Sequence, residues 1–156
     1  MIKKIISGAQ TGADRGALLA ALKNNIEVGG WVPKGRRAED GYVSSDFPVL
    51  ETPSRDYPQR TEWNVRDSDG TIVFNKAKNS RGCNLTIAMA SRYKKPILVI
   101  KTQRSDEEVV ASIVSFVNRY NLVTLNVAGN RESSVPGLQE YVERIMSAVI
   151  SVDRDF

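Results

Sequence analysis

The sequence contains no histidine and only one cysteine, Cys83, among its 156 residues. Without histidine it lacks the side chain that most often titrates near neutral pH, which is also the commonest zinc ligand. A lone cysteine excludes an internal disulfide and, with no histidine to join it, a protein-ligated zinc site. No apolar run reaches the roughly 20 residues that a membrane-spanning helix needs. Met1-Ile2-Lys3-Lys4 leads straight into a strand pattern rather than into a signal peptide. The expectation is a cytoplasmic protein with no membrane contact. Charge of one sign is also scarce, with 22 basic against 18 acidic residues and a net +4. The densest basic cluster, Lys34-Gly35-Arg36-Arg37, is short and has no interleaved aromatics. It suits a solvated face or a small anion better than a nucleic acid.

What is present reads as one globular α/β domain over residues 1–156. Five short apolar runs predict strands at Lys4 to Ser7, Ile26 to Trp31, Gly70 to Phe74, Pro96 to Ile100 and Leu122 to Val127. They are continuous rather than alternating, as strands buried on both faces are. Helical patterns lie between and after them. The first covers Ala13 to Asn24 and the second about Tyr57 to Ser68, where Asp56 and Gln59 have capping-box spacing. The third covers Cys83 to Tyr93. Ser105 and Glu108, again at capping-box spacing, open a fourth with Val109, Ile113, Phe116 and Val117 on its core face. The last carries the clearest stripe: Leu138, Tyr141, Val142, Ile145, Met146 and Val149. Strands alternating with helices predict a Rossmann-like three-layer sandwich around a five-stranded, mainly parallel sheet.

One connection breaks the alternation. Residues 32 to about 56 show no convincing element, yet Trp31, Tyr42, Phe47, Val49 and Leu50 can anchor them. A loop of that length in a small domain is usually functional. It leaves the second strand at its carboxyl end, the edge where open α/β sheets bind ligands.

The same edge collects the polar motifs. Ser7-Gly8-Ala9-Gln10-Thr11-Gly12-Ala13-Asp14-Arg15 joins a strand to a helix, and helix N-termini offer unpaired amides and a favourable dipole to anions. Gly8 and Gly12 would admit a phosphate closely, with Gln10, Thr11 and Arg15 adding donors. The turn is neither a Walker loop nor a dinucleotide fingerprint. Lys34, Arg36 and Arg37 supply cations, although Glu39 and Asp40 beside them could pair with them internally. Trp63 and Asn64, in the polar stretch Arg60 to Asp69, suit a ligand site or a subunit contact. Arg81-Gly82-Cys83-Asn84 forms a second strand–turn–helix anion site, whose helix N-terminus would lower the Cys83 thiol pKa. Asn126 to Ser134, with Arg131, closes the set.

Four of these segments together, 7–15, 29–41, 60–69 and 126–133, resemble the putative molybdenum carrier family. That family is part of a wider Rossmann-like group holding molybdenum-cofactor carriers and the phosphoribohydrolases once described as lysine decarboxylases. The resemblance runs from residue 4 to about 150, and the block Gly29-Gly30-Trp31-Val32-Pro33-Lys34-Gly35-Arg36-Arg37-Ala38-Glu39-Asp40-Gly41 is its most specific part. The usual Gly-Gly-Thr before the third helix is replaced by Arg81-Gly82-Cys83. The resemblance implies a homo-oligomeric carrier of molybdenum cofactor that holds the phosphate and pterin without ligating the metal.

The resulting expectation is a binding protein for a phosphorylated pterin or nucleotide-like ligand. The phosphate would sit on Gly8 to Gly12 with Arg36, Arg37 or Arg131, and the ring near Trp31 or Trp63. One alternative is a nucleoside-monophosphate hydrolase of the N-glycosidic bond, using Glu39, Asp40 or Glu132 with Arg131. The other is an interaction module without a small ligand.

Overall fold

The computed structural model describes residues 1–101 and 104–155. Five strands form one sheet in which every neighbouring pair is parallel: β1 (Lys4–Ile6), β2 (Glu27–Gly29), β7 (Gly70–Phe74), β8 (Ile97–Ile100) and β9 (Thr124–Gly129). Five helices cover it: α1 (Ala13–Lys23), α2 (Tyr57–Arg66), α3 (Arg81–Arg92), α4 (Asp106–Tyr120) and α5 (Leu138–Arg154). One layer packs α1 and α4 against α5, and the other packs α2 against α3. The apolar runs read as doubly buried strands are so: all five residues of β7 are buried, as are Ile5, Leu125 and Val127. The stripe on α5 meets this core through Leu138, Val142, Ile145, Met146 and Val149.

The sheet order is β2-β1-β9-β7-β8. The last strand of the chain is therefore inserted between the first strand and the third. If β9 and α5 were moved to the front of the chain, the strands would run 3-2-1-4-5, the order of a doubly wound dinucleotide-binding fold. The strand order reverses between β9 and β7, so the ligand crevice of such a fold lies beyond the carboxyl ends of those two strands. Phe74 and Gly129 stand side by side there.

Four sequence expectations need correction. The run Ile26 to Trp31 is broken at Gly30, whose φ of +125° only glycine adopts readily and whose Cα faces the Ser7 backbone with no room for a Cβ. Beyond the break, β3 (Trp31–Val32) pairs with β6 (Leu50–Glu51) in a separate small ladder, and β4 (Arg37–Ala38) pairs with β5 (Gly41–Tyr42). The segment expected to hold no elements thus contains two short ladders. The Asp56–Gln59 capping box does not form either. Asp56 makes no side-chain cap, and Gln59 Oε1 instead accepts from the Ser54 amide at 2.9 Å. Finally, α3 starts two residues earlier than its apolar pattern indicated, because Ser80 caps it by accepting from the Cys83 amide at 3.2 Å.

Candidate functional site

A cleft of about 510 Å³ opens at the reversal point. Its walls are the connection after β7, from Ala77 to the first turn of α3, and the end of β9 with the connection after it, from Ala128 to Ser134. Gln10 and Asp14 from the β1–α1 turn and Tyr57 and Arg60 from α2 also line it. Lys78, Arg81, Arg60 and Arg131 place four cations around this space. Among the described residues Lys78 and Arg81 form no ion pair, while Arg131 lies 3.9 Å from Glu39.

The α3 end of the cleft is an open helix N-terminus. The amides of Arg81 and Gly82, its first two residues, have no intrahelical acceptor. A Cβ added at Gly82 would meet nothing within 4 Å, so the backbone there is approachable from the cleft. Cys83, next in line, is buried, with Asn130 Nδ2 3.6 Å from its sulfur. Burial pushes its thiol up, overriding the lowering expected from the helix N-terminus.

The α1 end is built differently. The Ala9 amide donates to Ser7 Oγ, Gln10 N to Asp14 Oδ2, Thr11 N to Gln10 Oε1 and Ala13 N to the Asn130 carbonyl. Gly12 N reaches Gln139 Oε1 at 3.4 Å. Five successive amides, Ala9 to Ala13, thus already have acceptors. Gly12, at φ +84°, presses against the backbone of Asn130 to Glu132, and the Arg60 guanidinium lies over Gly8. Gly12 serves close backbone packing, and Gly8 is covered by the Arg60 side chain, so neither lines the cleft. The phosphate cradle read at Gly8 to Gly12 is therefore covered, whereas Gly82 stands open.

The other expected site residues divide in the same way. Arg36 spends its guanidinium on the carbonyls of Val43, Ser44, Phe47 and Val49, holding the 36–49 loop together. Arg15 pairs with Asp40 and also donates to the Ala9 carbonyl. Lys34 is exposed and lines no part of the cleft. Arg37 donates to the Arg55 carbonyl and lies 4.9 Å from the Tyr57 ring centroid. Asn64 is buried and clamps Trp31 by both backbone groups, accepting from its amide at 2.8 Å and donating to its carbonyl at 3.0 Å. Trp31 and Trp63 form an edge-to-face pair 4.7 Å apart, outside the cleft. The aromatic inside it is Tyr57, ringed by Arg37, Arg60 and Arg131 at 4.9, 5.2 and 4.8 Å.

The carboxylates named for hydrolysis are spent elsewhere. Glu39 accepts from Thr11 Oγ1 at 2.7 Å and Ser133 Oγ at 2.9 Å. Burial alone would raise its pKa, but these bonds outweigh it and hold the group below the usual range. The Arg15 hydrogen bond lowers Asp40. Glu132 caps the start of α5 by accepting from the Gly137 and Gln139 amides. Asp14 is the one acidic residue on the cleft wall among the described residues. It pairs with Arg60 at 3.3 Å, and burial raises its pKa to about 6 against the opposing pull of that guanidinium. Sequence reasoning missed both Arg60 and Tyr57 as site residues. The only signal was the density of polar residues on α2, because Asp14 lies 46 positions away. Among the described residues no group of three or more acidic or cysteine side chains could hold a metal ion, and no helix is long and apolar enough to cross a membrane.

Comparison with known proteins agrees with this architecture. Residues 5–150 match the model of the circularly permutated YpsA SLOG family, whose description fits the displaced position of β9. A search of curated proteins finds no match. The chain is similar to a crystal structure of "Putative molybdenum carrier protein" from Syntrophus aciditrophicus SB at 42% identity and a TM-score of 0.88. That likeness covers 97% of this chain and 94% of the other. The resemblance read from the motifs thus holds along nearly the whole chain, and the protein belongs to the circularly permutated YpsA SLOG family.

Proposed function

We propose that the protein is a binding or carrier protein for a phosphorylated pterin or nucleotide-like ligand, and that the phosphate rests on the first turn of α3. The observation that carries this reading is the approachable backbone at Gly82 beside Lys78 and Arg81, cations that have no carboxylate partner among the described residues. An unpaired helix N-terminus next to such cations favours a phosphate twice over, by directed amides and by charge. Tyr57, with its ring of arginines, is the aromatic side chain on the cleft wall, so a planar group would lie beside it rather than beside Trp31 or Trp63. Molybdenum cofactor, the cargo suggested by the name of the similar protein, fits these groups: Arg81 and Gly82 would hold its phosphate and Tyr57 its pterin. Among the described residues no cluster of side chains would ligate its metal.

A thermal-shift and calorimetric panel of inorganic phosphate, nucleoside monophosphates and molybdenum cofactor tests the proposal. We expect stabilisation by phosphorylated ligands. Arg81→Ala should weaken phosphate binding by at least about tenfold, the scale of one lost charge-assisted hydrogen bond. Gly82→Asp should abolish it, although an acid at this position favours the helix itself. If no phosphorylated compound stabilises the protein, the proposal fails.

A further inference from the structure

The floor of the cleft holds two buried donors with no partner among the described residues, Gln10 Nε2 and Arg60 Nε. Gln10 is only 4% exposed. Its amide orientation is fixed, because Oε1 accepts from the Thr11 amide at 3.1 Å and the Glu39 amide at 2.8 Å. A flipped side chain would set its NH₂ against both of those donors. Nε2 is therefore the atom left without an acceptor, and leaving such a group desolvated costs about 1–3 kcal/mol. Its position on a cleft wall points to a ligand as the missing partner.

Asp14 stands beside it, 3% exposed and tied to Gln10 by the Gln10 amide. Its bonds from Gln10 N and Arg60 Nη1, both at 3.3 Å, fall on Oδ2. Oδ1 is the oxygen available for a ligand N–H. The floor thus presents more than one donor next to one acceptor. An oxyanion suits it badly, since it would face the Asp14 carboxylate. A ring carbonyl suits it well: its oxygen has two lone pairs for two donors, whereas a ring nitrogen has one. An amino group in the same place would bring further donors to a wall already short of acceptors.

We infer that Gln10 and Asp14 read a lactam edge on the ligand ring, a carbonyl beside an N–H. Guanine, hypoxanthine and 4-oxopterins carry this edge, and adenine does not. The inference rests on the reading that the cleft holds a phosphorylated heterocycle. It adds which edge of that heterocycle is recognised and by which residues.

The test is calorimetry of the unmodified protein with GMP, IMP, neopterin monophosphate, AMP and inorganic phosphate. At least one of GMP, IMP or neopterin monophosphate should bind roughly tenfold or more tightly than AMP, the scale of one hydrogen bond gained and one unpaired group relieved. The member that binds most tightly identifies the source of the edge. Gln10→Glu, which replaces the donor by an acceptor of the same shape, should bring the ratio towards one. Equal binding of AMP and all three lactam compounds overturns the inference while leaving the phosphate reading intact. Failure of every compound, inorganic phosphate included, removes the phosphate reading and the inference with it. The comparison of ligands on the unmodified protein decides the matter even if the variant does not fold.

Discussion

Replacing Gly12 by valine should cost about 3–5 kcal/mol of stability, the sum of backbone strain at a positive φ and overpacking against fixed backbone. In a chain of this size that lowers the melting temperature by roughly 10 °C. The cause is local. Gly12 has φ +84° and ψ −130°, and an added Cβ would collide with the backbone of Asn130, Arg131 and Glu132. Those residues are held in turn, since the Asn130 carbonyl accepts from Ala13 N and the Glu132 amide donates to Thr11 Oγ1. The contact cannot relax without parting α1 from the connection after β9. Thermal unfolding of Gly12→Val beside Gly82→Asp separates the two glycine roles. The first should unfold early, and the second should melt near the parent and lose phosphate. A Gly12→Val protein with parental stability would show that this packing is misassigned.

The buried Asp14–Arg60 pair should respond unequally to loss of either partner. Asp14→Asn leaves a guanidinium buried with no counter-charge, and arginine cannot neutralise itself by losing a proton. Breaking a buried pair in this way costs about 3–5 kcal/mol. Arg60→Met removes the cation paired with Asp14, but a carboxyl can take up a proton. Its pKa should rise further above 6, and the variant should be markedly more stable at pH 5 than at pH 8. The unmodified protein carries the same sign. Asp14 has a folded pKa raised to about 6 from an ordinary value of 3.8, so the folded state binds the proton more tightly than the unfolded state does. Its contribution to stability is complete below about pH 4 and is lost as pH rises through 6, a difference of about 3 kcal/mol. Chemical denaturation of the three proteins from pH 4 to pH 8, with a carboxyl titration followed by NMR, measures both effects. Equal destabilisation by the two substitutions at pH 5 would count against this account. Asp14 in its ionised form weakens the fold at neutral pH, and in the proposed ligand site its free oxygen would find a use.

The same contrast explains what could be read in the sequence. β7, buried along its whole length, and the apolar stripe of α5 are visible as patterns because each residue's burial follows from local periodicity. The place of β9 is not visible. Parallel pairing joins strands far apart in the chain, and nothing local to Thr124–Gly129 tells that it lies between β1 and β7. That one pairing decides where the crevice opens. Reading the chain in order put the phosphate after the first strand, as an unpermuted fold would. The permuted order moves the crevice to the ends of β9 and β7, beside Gly82. Gln10, Gly82 and Arg131 were legible as polar residues at strand ends. Tyr57 and Arg60 were not, because their neighbours in the cleft come from distant turns.

The most direct test is an amide-resolved NMR titration of the isotope-labelled protein with inorganic phosphate. The account predicts the largest shifts at the backbone amides of Arg81, Gly82 and Cys83, with only small changes at Ala9 to Ala13, whose amides already have acceptors. Shifts centred on Ala9 to Ala13, with the first turn of α3 silent, would contradict it.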